Sequence, residues 1–164
     1  MTLIELTVAM MIGGVVAGIM IALFNQQLAF LRIFSIQNFL NEEAPLVNMH
    51  VARMVGQADR YRLHDSVADA LAGQNQRLDD SPVLLMNFRQ PDGGMRASML
   101  AFETRNGRQA LYYHLVPESG ALDEPEWFVT DQVADVRFSI EQGVLRMRLT
   151  GNSGEQITYS GTMQ

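Results

Sequence analysis

The chain has no cysteine and no lysine among its 164 residues. Without cysteine it forms no disulfide framework, offers no thiolate to a metal and has no thiol nucleophile. Without lysine its twelve cations are all arginines, set against eighteen carboxylates, for a net charge of −6 and a pI near 4.9. That balance argues against a surface that tracks a phosphate backbone, so no nucleic acid is expected to be bound directly. A third scarcity is local. No basic residue precedes Arg32, and the only acidic one before it is Glu5.

The residue patterns of common chemistries are missing as well. His50 and His64 lie fourteen residues apart and His114 falls in a predicted strand, so none has triad or metal-ligand spacing. The H-E-x-x-H pattern, the G-x-S-x-G elbow, a phosphate-binding glycine loop and G-x-G-x-x-G do not occur. The reading is a protein that is not an enzyme, with no catalytic residue and no cofactor. "YYH" at Tyr112 to His114 reads as strand packing. One acidic loop, "DEPEW", places Asp123, Glu124 and Glu126 close together as the weak candidate for a Ca²⁺ site. Its spacing is not that of an EF-hand and Pro125 limits convergence, so a solvated loop and no metal are expected.

What the chain does have begins with "MTLIELTVAMMIGGVVAGIM". From Leu6 to Phe24 the run is apolar except for Thr7. As a helix rising about 1.5 Å per residue it spans a hydrocarbon core of about 30 Å. A secretory signal would open with cations, and a signal anchor would carry them on its cytoplasmic flank. Neither pattern fits, so the beginning is expected to be a processed one. A charge in the bilayer costs about 2.5–3.5 kcal/mol, so Glu5 needs a partner. The nearest is an N-terminal amine, either its own one turn away or one brought by a neighbouring helix. Small residues recur at four-residue spacing, Gly14, Gly18 and Ala22 in one row, Ala9, Gly13 and Ala17 in another. Such rows let helix backbones approach closely, and each glycine costs about 1 kcal/mol in a helix interior, so they mark packing or a weak point.

"TLIEL" at positions 2 to 6, followed by the apolar helix, resembles the mature N-terminus of type IV pilins and of the pseudopilins of type II secretion. The resemblance implies that a prepilin peptidase removes a leader and methylates Met1. It implies that Glu5 pairs with the amine of a neighbouring subunit, and that Met1, Glu5, Gly13, Gly14 and Gly18 serve assembly. The implied partners are copies of itself or related pilins in a helical filament, an assembly platform and a motor ATPase. The implied location is the bacterial inner membrane before assembly, then an extracellular or periplasm-spanning filament. Two positions depart from the common pattern: Met1 stands where Phe is usual, and Ala22 where many major pilins have Pro. The segments "QNFLNEEAPLVNMHVARMVGQADRYRL" and "VADVRFSI" are similar to W-type minor pilins and J-type pseudopilins. A pilus subunit, a minor pseudopilin and a membrane-tethered binding module that does not polymerise therefore stay open.

Beyond the membrane segment, helical periodicity runs through Leu28, Leu31 and Phe34 to Val51 and Val55, with a kink or break expected at Glu42 to Ala44 ahead of Pro45. The expected organisation is 1–25 membrane helix, 26–63 amphipathic continuation, 64–82 loop or short helix, and 83–164 antiparallel sheet. In that last part the period changes to two, with strands at 83–88, 97–104, 109–116, 127–130, 133–140, 144–150 and 156–160. "RNGR" suits a type I′ hairpin. Val136, Phe138, Ile140 and either Val144 or Leu145, Met147 and Leu149 should face the core, with Arg137, Arg146 and Arg148 outward. The fold class is α+β: a long N-terminal helix packed on an antiparallel sheet, with that packing implied by the resemblance.

Overall fold

The computed structural model describes residues 2–117, 122 and 124–161. It divides into two compact units, one ending at Asn38 and the other beginning at Phe39. Helical residues follow one another without a gap from Leu3 to Val55.

The first unit is the helix α1, Leu3–Asn38, whose 36 residues include none that is buried. The second opens with a π-helical turn, Phe39–Glu43, followed by α2, Ala44–Val55. Pro45 explains the turn. It has no N–H to give to the carbonyl four residues back, and its ring crowds that carbonyl, so the tight ladder opens just ahead of it. The turn also serves packing. Phe39 and Ala44 are both buried, and five residues of α-helix would set them about 140° apart. The wider turn brings Phe39 round towards the buried stripe of Ala44, Val47, Val51 and Val55.

α2 stops at Val55, where Gly56 follows as the C-cap and donates its N–H to the Ala52 carbonyl at 2.8 Å. The expected continuation to residue 63 is corrected here: Arg60–His64 is a strand, β1. Its backbone pairs on one side with residues 83–87, and Leu63 and His64 are buried while Arg60 and Arg62 are exposed. Residues 64–82 hold the short helix α3, Val67–Ala72, and the two-residue strand β2, Gln76–Arg77. α3 is closed at both ends. Ser66 Oγ accepts from the Asp69 N–H at 3.1 Å, and Gly73 takes the left-handed conformation, φ 66°, that ends a helix.

Seven further strands follow: β3 Val83–Arg89, β4 Met95–Arg105, β5 Arg108–Val116, β6 Trp127–Thr130, β7 Val133–Glu141, β8 Val144–Gly151 and β9 Gln156–Ser160. They make two antiparallel sheets: six strands in the order β2-β1-β3-β4-β5-β6, and three in the order β7-β8-β9. The β4–β5 turn has Asn106 at φ 51° and Gly107 at φ 76°, and the β7–β8 turn has Gln142 at 51° and Gly143 at 82°. Two successive positive φ values are the type I′ signature.

The sheets meet around one core. Phe39, Val47, Val51 and Val55 pack with Leu84, Met86 and Leu100 of the larger sheet and Val136, Phe138, Met147 and Leu149 of the smaller. Leu145 is buried whereas Val144 and Ile140 are half-buried, which decides the β8 register left open by the alternation. Between the sheets, Ser81 and Phe138 exchange backbone hydrogen bonds of 3.0 and 2.8 Å, and the Tyr61 hydroxyl donates to the Gly143 carbonyl at 3.3 Å. On the opposite face of the larger sheet, α3 covers a smaller cluster of Ala70, Val83, Met99 and Ala101.

Candidate functional site

Of the residues singled out for assembly, Glu5, Gly13, Gly14 and Gly18 lie on α1, whose start has a specific construction. The Thr2 N–H donates to Glu5 Oε2 at 2.8 Å, and the Glu5 N–H donates to Thr2 Oγ1 at 3.4 Å. The Leu6 N–H reaches the Thr2 carbonyl at 3.3 Å. This is the reciprocal capping box of a T-x-x-E start, with a short limb from the carboxylate and a long one to the hydroxyl. The carboxylate also faces the positive end of the helix dipole. Glu5 therefore has a partner in its own chain, the Thr2 amide. Met1, whose amine is the other partner expected from the sequence, lies outside the described residues. Thr2 is the site residue that reasoning from the charge alone passes over, although T-x-x-E ahead of an apolar run is a legible signal.

Beyond this turn α1 presents almost unbroken hydrocarbon. Leu3 is 81% exposed, Met10 71% and Phe30 71%, and the apolar side chains are spread around the helix rather than gathered on one side. Apart from the helix's own nearby backbone and adjacent residues, Gly13, Gly14 and Gly18 have nothing within 4 Å of where a Cβ would stand, so they leave the backbone bare on those rows. Over its N-terminal part the helix is long and apolar enough to cross a membrane.

The acidic loop gives less. Asp123 lies outside the described residues, while Glu124 and Glu126 are exposed and the Glu126 N–H donates to the Tyr113 carbonyl at 3.1 Å. Among the described residues no three His, Asp or Glu side chains converge as metal ligands would. His64 and His114 are both buried in the larger sheet. His64 Nδ1 is 2.8 Å from the Gln74 carbonyl and His114 Nε2 is 3.2 Å from Glu103 Oε1, so each is tied into the strand framework.

No family model, no curated protein and no solved structure matches the chain.

Proposed function

We propose that the chain is a structural subunit of a type IV pilus or pilus-like filament, held in the bacterial inner membrane by α1 and polymerising through that helix. One observation carries the reading: a 36-residue, largely apolar helix with no buried residue. Such a surface is stable only in lipid or among like helices. At about 54 Å it exceeds a hydrocarbon core of about 30 Å, which leaves a length for contact outside the bilayer. The bare rows at Gly13, Gly14 and Gly18 let a neighbouring helix close in, replacing lipid contacts by protein ones.

In the filament, Glu5 accepts a hydrogen bond from the N-terminal amine of an adjoining subunit. This relieves the cost of the charge only at the correct axial register. A contact of this kind joins one surface patch to a different one, so repetition generates an open helical polymer. A prepilin peptidase, a platform protein and a motor ATPase are the partners this reading requires.

The test is to express the chain with a pilus or secretion machinery and shear the cells. The sheared fibre fraction should contain the protein, cleaved ahead of Met1 and N-methylated by mass spectrometry, and Glu5→Gln should remove it from that fraction. Protein found only as membrane monomers, with Glu5→Gln indifferent, overturns the reading.

A further inference from the structure

The helix-facing side of the larger sheet is longer than the helix that covers it. α2 ends at Val55, and past Met54 and Gln57 no described element covers the sheet, leaving an open cleft of about 490 Å³. Its size falls within the roughly 300–1,000 Å³ of small-molecule sites. Strand register explains which side chains line it. Phe88 stands opposite Arg96 across β3 and β4, Ser98 opposite Leu115 across β4 and β5, and Tyr113 opposite Trp127 across β5 and β6. All six project to the same face and all six line the cleft.

Three features there are unspent by the fold. The rings of Tyr113 and Trp127 lie 5.3 Å apart, tilted by 34°, and among the described residues Trp127 remains 44% exposed, which makes the pair an aromatic platform. Arg96 and Arg89 reach the cleft, and neither guanidinium has an ion-pair partner among the described residues, whereas six of the other arginines do. In the floor, Ser98 is 1% exposed and its Oγ has no hydrogen-bond partner among the described residues, a state that buried hydroxyls rarely keep.

We infer that this cleft binds an acidic saccharide, a sugar unit that carries a carboxylate. An aromatic platform takes the C–H face of a sugar ring, and planar polar side chains at the rim take its hydroxyls. Gln57 and Gln90 supply such amides. The carboxylate is assigned to Arg96, whose fork can hold it bidentately. Charge selects among occupants. Arg89 and Arg96, with the Glu126 carboxylate on the same rim, leave about one positive charge, which matches a single anionic group and is too little to hold a run of phosphates. The cleft is too polar for an apolar helix. This inference stands apart from the filament reading, because a subunit that never polymerises would keep the cleft.

The chain's single tryptophan makes the test direct, since Trp127 reports arrival of a ligand at its own ring. Full-length protein in detergent micelles is titrated with digalacturonate and with 3′-sialyllactose, against lactose as the neutral control. A saturable change in emission is expected with the acidic sugars, about tenfold weaker with lactose and about tenfold weaker for Arg96→Gln with the acidic ones. Arg96 is exposed, so the variant should melt at the wild-type temperature. Trp127→Ala, followed by calorimetry, should lose the heat of binding. The inference is overturned by no saturable response up to roughly 10 mM sugar, where even a millimolar Kd would register. It is equally overturned by equal affinity for lactose, by indifference to Arg96→Gln, by a response to oligothymidylate or inorganic phosphate in place of sugar, or by self-association that shields Trp127 without ligand.

Discussion

At the scale of single residues, Glu5 combines two roles that substitutions can separate. A capping box accepts Gln as well as Glu, so Glu5→Gln removes the charge and keeps the cap, while Glu5→Ala and Thr2→Val remove the cap. A lost cap costs about 1 kcal/mol, roughly a fivefold change in local opening. Hydrogen exchange in micelles should therefore show the first-turn amides opening about fivefold faster in Glu5→Ala and Thr2→Val, and near the wild-type rate in Glu5→Gln. A defect in filament formation by Glu5→Gln would then be a defect of charge. Elsewhere, Gly151 is buried, and a Cβ there would collide with the Glu155 carboxylate and come within 2.8 Å of Phe39 Cδ1. Gly151→Ala should lower stability by about 1–3 kcal/mol in thermal melts, since Phe39 sits in the core and cannot swing aside freely. Acid sensitivity follows from two carboxyls. The Arg108 guanidinium holds Asp131 below its ordinary 3.8, and hydrogen bonds from Ser66 and then Asn75 do the same for Asp69. Groups depressed on folding add stability that is complete above the unfolded value and lost as pH falls through the folded one. Melting temperature should thus be level above about pH 5 and fall below pH 4, and Asp131→Asn should flatten part of that fall.

At the scale of elements, the π turn is a packing device as much as a response to proline. Deleting Asn41 takes out the extra residue but forces Pro45 into an α-helical ladder, at a cost of about 3 kcal/mol. Deleting Asn41 together with Pro45→Ala should restore most of that, because Phe39 and Ala44 would then stand four residues apart on one α-helical face. Chemical denaturation of the two variants measures the difference. The strands from 83 to 160 were legible in the sequence to within two residues, because alternation and turn chemistry are local. Asn106-Gly107 announces its own backbone. β1 was not legible. Arg60 to His64 follows a helix and keeps apolar residues at helix-compatible positions, and only pairing with β3, some twenty residues on, makes it a strand. Nor was the division into two sheets. Only Asp131 and Gln132 separate β6 from β7, and there the chain leaves one sheet for the other, with Thr130 Oγ1 accepting from the Gln132 N–H at 3.0 Å. At the site, the position of Glu5 was plain from its charge. Its bond to the Thr2 amide needed the cap geometry.

At the scale of the whole molecule, the two units ask for different surroundings. The core of the second is built from Phe39 onward and includes both sheets and α2. A fragment starting at Phe39 should stay soluble without detergent and melt in a single cooperative transition, while the full chain should pellet unless detergent or lipid is present. Circular dichroism melts and ultracentrifugation distinguish the outcomes. A fragment that aggregates would show that α1 is needed to complete the fold.

The order of the chain adds a demand on its manufacture. Every residue of the bare helix leaves the ribosome before the first strand is made, and at about 5–20 residues per second the sheets follow several seconds later. For that interval α1 exposes its apolar side chains while neither sheet yet exists. Until the sheets are made, that hydrocarbon has only other surfaces, lipid or protein, to lie against.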